Sequence, residues 1–217
     1  MGRMSDESTH DQSPDGAASN QPGNERLPRS PSLMSAADSA LLIVDMQERL
    51  LPHVADHPRI VWNCRRLLDG AAALDVPVVA TEQYPKGLGP TFDELRRRLP
   101  DEPLPEKLLF SCAACGGLFE ELQAQGRHRL LLAGIETHVC VQQTAFDLLS
   151  AGWRVYLAVD AVGSRFSLDH QTALRRMEAG GVELTSTESA LFEWCEQAGT
   201  PAFKEVSRLA RETPPEA

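Results

Sequence analysis

The chain has 217 residues, enough for one domain with a substantial core, and 42% of them are hydrophobic, so it reads as a folded protein. A formal charge of −10 argues against a nucleic-acid binder, which would carry a basic surface. No apolar run approaches the ~18 residues a membrane span needs. Its five cysteines are odd in number and unevenly spaced, which points to a reducing cytoplasm rather than a disulfide framework.

Up to Ser32 the only large apolar residues are Met1, Met4 and Leu27, among many Ser, Asp, Asn, Gly and Pro. Residues 1–37 therefore read as a disordered N-terminal tail, without the apolar core of a signal peptide. Order is expected over 38–211, as a single domain, with 212–217 disordered again.

Ser39-Ala40-Leu41-Leu42-Ile43-Val44-Asp45 looks like a central parallel strand that delivers a carboxylate to its C-terminal edge. That edge is where open α/β sheets place their sites. Ile60, Cys64, Leu67, Leu68 and Ala71 recur at helical spacing and predict a helix from about Pro58 to Leu74. Val76–Thr81 reads as the second strand, and Glu82–Pro90 as a loop rich in turn residues. A short helix is expected over Phe92–Leu99, ended by the prolines at 100, 103 and 105.

Glu106–Ser111 reads as a brief third strand and Gly116–Gln125 as a helix. Leu130-Leu131-Leu132-Ala133 is a fully buried strand pattern. It turns at Gly134 and reaches Cys140 as a helical pattern opens toward Leu149. Trp153–Asp160 and Val182–Thr185 are the fifth and sixth strands, with a helix over Leu168–Ala179 between them. Helices over Ser189–Gln197 and Phe203–Arg211 close the chain. Near-continuous apolar strands alternating with helices predict a three-layer α/β/α sandwich around a six-stranded parallel sheet, Rossmann-like in plan.

Strand reversal in such a sheet makes the first and fourth strands neighbours, which brings Asp45 toward Cys140. A thiol at the mouth of a helix lies near the positive end of the macrodipole, which favours thiolate. A carboxylate beside it can take its proton and return it to a leaving amine, and a lysine such as Lys107 favours both anions. Each of the three has another reading: Asp45 as a helix cap, Lys107 as a solvated strand-edge lysine, Cys140 as a buried inert cysteine.

LLIVDMQ (41–47), EKLLFSC (106–112), AGIETHVCV (133–141) and VDAVGSR (159–165) resemble, in this order, the motifs of the isochorismatase-like, or cysteine hydrolase, superfamily. That superfamily also holds nicotinamidases and N-carbamoylsarcosine amidase, and the likeness covers about residues 38–197. It implies the isochorismatase-like hydrolase fold, Asp45 as general base, Lys107 as its charged partner and Cys140 as nucleophile. It also implies a cis peptide at Ile135-Glu136 and an oxyanion hole made by the backbone N–H groups of Glu136 and Cys140. Gln83, Tyr84, Phe110 and His138 are then candidates for the substrate pocket.

Nicotinamidases hold a metal with Asp and His in the loop after the second strand, and Glu82–Pro90 has neither, so no metal and no cofactor are expected. The stretch TEQYPKGLGPT (81–91) resembles instead the isochorismatase-domain-containing hydrolases. Isochorismatases proper lack the nucleophilic cysteine, so Cys140 favours acyl transfer from a small amide, carbamoyl or related substrate over ether hydrolysis. Cys112-Ala113-Ala114-Cys115 has the spacing of a thiol redox motif, which leaves a redox protein as one alternative and a non-catalytic regulatory member of the fold as another. The resemblance also implies self-association, as a dimer or larger. Tyr84, Leu88, Phe203, Val206 and Leu209 are apolar groups beyond what the sheet and its helices require, and read either as an exposed interface patch or as the contact by which the C-terminal helix packs back on its own sheet. The expected partners are thus a small-molecule substrate and further copies of the chain.

Overall fold

A computed structural model of the chain describes residues 1–2 and 28–216. The chain divides into Met1–Ser30 and Pro31–Ala217. The described residues of the first unit form no helix or strand, and most of the expected tail lies outside the described residues.

In the second unit the strands are β1 (Ser39–Val44), β2 (Val78–Gln83), β3 (Glu106–Lys107), β4 (Arg129–Ile135), β5 (Arg154–Gly163) and β6 (Glu183–Thr185). They form one sheet in the order β3-β2-β1-β4-β5-β6, and every pairing is parallel. The chain winds outward from β1 to β3, then returns to β4 on the other side of β1. The switch point between β1 and β4 is where the carboxyl ends of the strands leave a crevice.

Alternation along the strands decides the two layers that cover the sheet. Leu41 and Ile43, Leu131 and Ala133, and Tyr156 and Ala158 point to one face. There they meet α1 (His57–Ala73), α3 (Asp93–Arg96), α7 (Thr187–Cys195) and α8 (Pro201–Ala210). Ala40 and Leu42, Leu130 and Leu132, and Val155 and Leu157 point to the other, under α4 (Gly116–Ala124), α5 (Gln142–Ser150) and α6 (Ser167–Ala179). Period-2 alternation inside an almost unbroken apolar run is what a strand buried on both sides requires.

Gly134 lies opposite Val44 in the sheet, with φ +119°, and a Cβ there would stand 2.1 Å from the Val44 carbonyl oxygen. Only glycine lets β4 run this close to β1 before it turns.

The ordered unit is longer than expected at both ends. Met34 is fully buried and its N–H donates to Glu193 Oε2 at 2.8 Å, while the Tyr156 hydroxyl donates to the Ser32 carbonyl at 3.1 Å. Residues 31–37 are thus packed on the domain, not part of a tail. At the other end Glu212 pairs with Arg65 and with Arg208, which carries the order one residue past the expected boundary at 211.

β3 is two residues long rather than six, because Leu108, Leu109 and Phe110 turn outward and are exposed. The helix expected over 92–99 is regular only as α3, and the 82–90 loop contains a four-residue helix, α2 (Pro85–Leu88). α8 does not expose its apolar face: Val206 and Leu209 are fully buried in the layer with α1 and α7, which removes two members of the expected interface patch.

Candidate active site

Asp45 follows β1 in a left-handed conformation, φ +49°, a region that Asp tolerates better than most residues. The turn aims its carboxylate across the switch point. Lys107, the last residue of β3, donates to Asp45 Oδ2 at 2.6 Å, to Gln83 Oε1 at 2.7 Å and to the Phe110 carbonyl at 2.9 Å. An ammonium has three donors, and all three are used. The ion pair is sealed, with side-chain exposures of 1% for Lys107 and 0% for Asp45.

Gln83 is therefore a strut for Lys107 rather than open pocket wall. It is locked in turn by Gln47, whose Oε1 accepts from the Gln83 N–H at 2.8 Å and whose Nε2 donates to the Gln83 carbonyl at 3.1 Å. The other oxygen of Asp45 is also held, since the Thr81 hydroxyl donates to Oδ1 at 2.9 Å.

Cys140 lies in a π-helical turn, Thr137–Val141, that leads directly into α5. It is buried, and its thiol lies within the electrostatic field of Asp45. Burial pushes the Cys140 pKa upward, and the negative charge of Asp45 pushes it further. The helix-mouth position alone favours thiolate, but burial and the Asp45 charge act the other way and favour the thiol as the resting form. Burial also raises the Asp45 pKa, although Lys107 opposes it. For Lys107 burial pulls downward, but Asp45 and the neighbouring cysteines outweigh it, so the ammonium stays charged.

The Ile135–Glu136 peptide bond is cis. The next three side chains all reach the segment after β5. Glu136 Oε1 accepts from the Arg165 N–H at 3.0 Å and from its guanidinium at 3.1 Å. Thr137 Oγ1 lies 3.0 Å from His170 Nδ1, and His138 Nδ1 lies 3.0 Å from Ser164 Oγ. His138 is therefore engaged with the β5–α6 segment. Gln47, Thr81, Ser164, Arg165 and His170 were not singled out from the sequence. The runs LLIVDMQ, TEQYPKGLGPT and VDAVGSR contain Gln47, Thr81, and Ser164 with Arg165, so only His170 lay outside any motif.

Tyr84, Leu108, Leu109, Phe110, Phe166 and Leu168 stand exposed on segments that leave the C-terminal ends of β2, β3 and β5. They give the crevice an apolar rim, with Tyr84 and Phe110 on it. A cavity of about 310 Å³ opens beside Lys107, between Tyr84, Lys86, Glu106 and Leu108. Two larger cavities, of about 520 Å³ each, lie away from this chemistry, one under Pro100–Pro105 and one around Trp62 and Arg66. Among the described residues no three His, Cys, Asp or Glu side chains gather as a metal-holding group.

Residues 39–189 match the isochorismatase domain. The chain belongs to the isochorismatase-domain family. It is 40% identical over 179 residues to isochorismatase domain-containing protein 2A of Mus musculus, which spans 82% of this chain and 85% of the relative. It is 37% identical over 188 residues to isochorismatase domain-containing protein 1 of Danio rerio, over 84% of this chain but only 64% of that longer relative.

Solved structures agree with this family fold. The MAR1 ribonuclease of Caenorhabditis elegans superposes with a TM-score of 0.79 at 37% identity, over 85% of this chain and 95% of that one. YcaC of Escherichia coli, an octameric hydrolase of unknown specificity, gives 0.72 at 26%, over 78% and 85%. YcaC of Pseudomonas aeruginosa, solved with hexane-2,5-diol and covalent acrylamide, gives 0.75 at 25%, over 84% and 96%. Family membership makes this chain a hydrolase of the cysteine hydrolase superfamily.

Proposed function

We propose that this protein cleaves the C–N bond of a small amide, carbamoyl or related substrate through a thioester on Cys140. The observation that carries the reading is the fully buried Asp45–Lys107 ion pair, closed at 2.6 Å, in whose field the buried Cys140 thiol lies. A neutral thiol beside a carboxylate of raised pKa moves its proton without separating new charge from water. Asp45 takes the proton as sulfur attacks the carbonyl carbon, and the backbone N–H groups of Glu136 and Cys140 receive the oxyanion. Collapse breaks the C–N bond, and Asp45 returns the proton to the leaving nitrogen. Water, deprotonated by Asp45, then attacks the thioester and releases the acid and the thiol. Lys107 keeps its charge throughout and steadies Asp45 whenever it is anionic.

Two comparisons support the reading. The acrylamide held covalently by P. aeruginosa YcaC is what a reactive thiol on this fold would do to an electrophile. The octameric E. coli relative, with the apolar rim here, supports self-association that covers the crevice. Five free cysteines suit the cytoplasm. The name of the C. elegans ribonuclease stays with that protein, because a charge of −10 disfavours binding of a phosphate backbone. A redox role for Cys112 and Cys115 is disfavoured by burial, which pushes the Cys112 thiol up to about 11.

The test is release of ammonia or amine from a panel of small amides and ureides by the full chain, with Cys140→Ala as control. Turnover that vanishes in the variant supports the thioester route. Equal turnover by the variant would sink it, and no turnover on any amide would favour a non-catalytic role.

A further inference from the structure

The catalytic reading accounts for Asp45, Lys107 and Cys140 but leaves a second buried thiol unused beside them. Cys112 is fully buried, at the start of the turn Cys112–Ala114 that follows β3. Its sulfur lies 3.3 Å from Thr81 Oγ1, and that same hydroxyl donates to Asp45 Oδ1 at 2.9 Å. Its backbone N–H donates to Thr144 Oγ1 at 2.8 Å, on α5, the helix that the Cys140 turn leads into.

We propose that Thr81 is a positioning residue for the Asp45 base, and that Cys112 orients the Thr81 hydroxyl. The inference rests on the reading of Asp45 as proton acceptor. A hydroxyl has a single proton. When Thr81 spends it on Oδ1, the Cys112 S–H becomes the donor to Thr81, and the chain Cys112→Thr81→Asp45 points at the carboxylate. When Asp45 takes the Cys140 proton, the S–H bond of Cys140 breaks and an O–H bond forms on the carboxyl. Lys107 offers only donors to Oδ2, so Oδ1 is the oxygen suited to carry that proton. Thr81 can then turn its own proton toward Cys112 sulfur, because either atom of that pair can donate. In that state the Oδ1 proton can be donated to the Thr81 oxygen, so the carboxyl group and the hydroxyl both stay partnered.

The charged and titratable groups facing Asp45 are Lys107 from β3, Cys140 from the π-helical turn and Cys112 from the turn after β3, with Cys115 further along that turn in the same field. Thr81 favours the anionic form of Asp45. Removing its hydroxyl therefore favours the proton, so the carboxylate form is reached only at higher pH.

The test follows alkylation of Cys140 by acrylamide from pH 5 to 9, by peptide mass spectrometry, which needs no knowledge of the substrate. Thr81→Val keeps the shape without the hydroxyl; Thr81→Ser keeps the hydroxyl; Asp45→Asn is the control. In Thr81→Val the rise of the rate with pH should move to higher pH, with about tenfold slower labelling on the rising limb. Thr81→Ser should restore the wild-type profile, and Cys112→Ala should fall between the two. A Thr81→Val profile that superimposes on wild type, or that drops evenly at every pH without rescue by serine, would overturn the proposal. If Asp45→Asn flattens the limb while Thr81→Val leaves it in place, only this inference fails. If Asp45→Asn leaves the limb intact, the reading of Asp45 as base fails and takes this inference with it.

Discussion

Replacing Lys107 with methionine should destabilise the fold far more than loss of an ordinary lysine. The side chain is 1% exposed and its partner Asp45 0%, so the variant strands a carboxylate where water does not reach. It also removes the donor to Gln83 Oε1 and to the Phe110 carbonyl. Breaking one side of a buried ion pair costs about 3–5 kcal/mol, against about 0–1 kcal/mol for a surface pair. For a domain of this size roughly 2–4 °C is lost per kcal/mol, so Tm should fall by about 10 °C.

The cost should also depend on pH. Without Lys107 the folded-state pKa of Asp45 rises further above its unfolded value. The native state then binds the proton more tightly than the unfolded state. Stability of the variant therefore falls as pH rises through the Asp45 titration, and the deficit is larger at pH 8 than at pH 5. Urea unfolding of wild type, Lys107→Met and the double variant Asp45→Asn/Lys107→Met at both pH values measures this. The double variant should recover most of the loss, because no charge is then left unpaired. A deficit below about 1 kcal/mol at pH 8, or one that grows on acidification, would refute the buried-pair argument.

Gly134→Ala should cost about 3 kcal/mol or more in urea unfolding, since its Cβ would meet the Val44 backbone at 2.1 Å and φ is +119°; a change within the noise of the measurement would mean β1 and β4 part easily. Dialysis against a chelator should leave amide hydrolysis intact, because the 82–90 loop has neither Asp nor His. Stoichiometric zinc whose removal abolishes activity would contradict this and reopen the nicotinamidase-like alternative. Light scattering of the full chain should give a dimer or larger, and Phe166→Glu on the exposed rim should lower that mass. A monomeric wild type at micromolar concentration would remove the idea.

The layers were legible because short, near-continuous apolar runs such as Ala40–Val44 and Leu130–Ala133 alternate with helical patterns, as strands covered on both faces require. The reversal between β1 and β4 follows from that architecture, and it placed Asp45 beside Cys140. What the sequence hid were effects of tertiary burial. The position of Cys140 before a helix predicts a thiolate, but the depth of the site and the carboxylate it faces decide otherwise. Met34 sits in a polar stretch, and nothing local announces that the sheet and α7 will cover it. Val206 and Leu209 have the same spacing whether they face solvent or α1, so α8 could not be assigned from periodicity. Gln47 and Thr81 carry no chemistry of their own, and only contact shows that they hold Gln83 and Asp45.

Cys140 as nucleophile is tested by capture of one equivalent of acrylamide at neutral pH, with the modified peptide identified by mass spectrometry. Exposure alone favours Cys115, which is half-buried, over Cys140, which is 5% exposed. A thiol activated by Asp45 reverses that order: a single modification should fall on the peptide that carries Cys140, and Asp45→Asn should slow it sharply. Labelling of Cys115 first, with Cys140 untouched, would contradict the account.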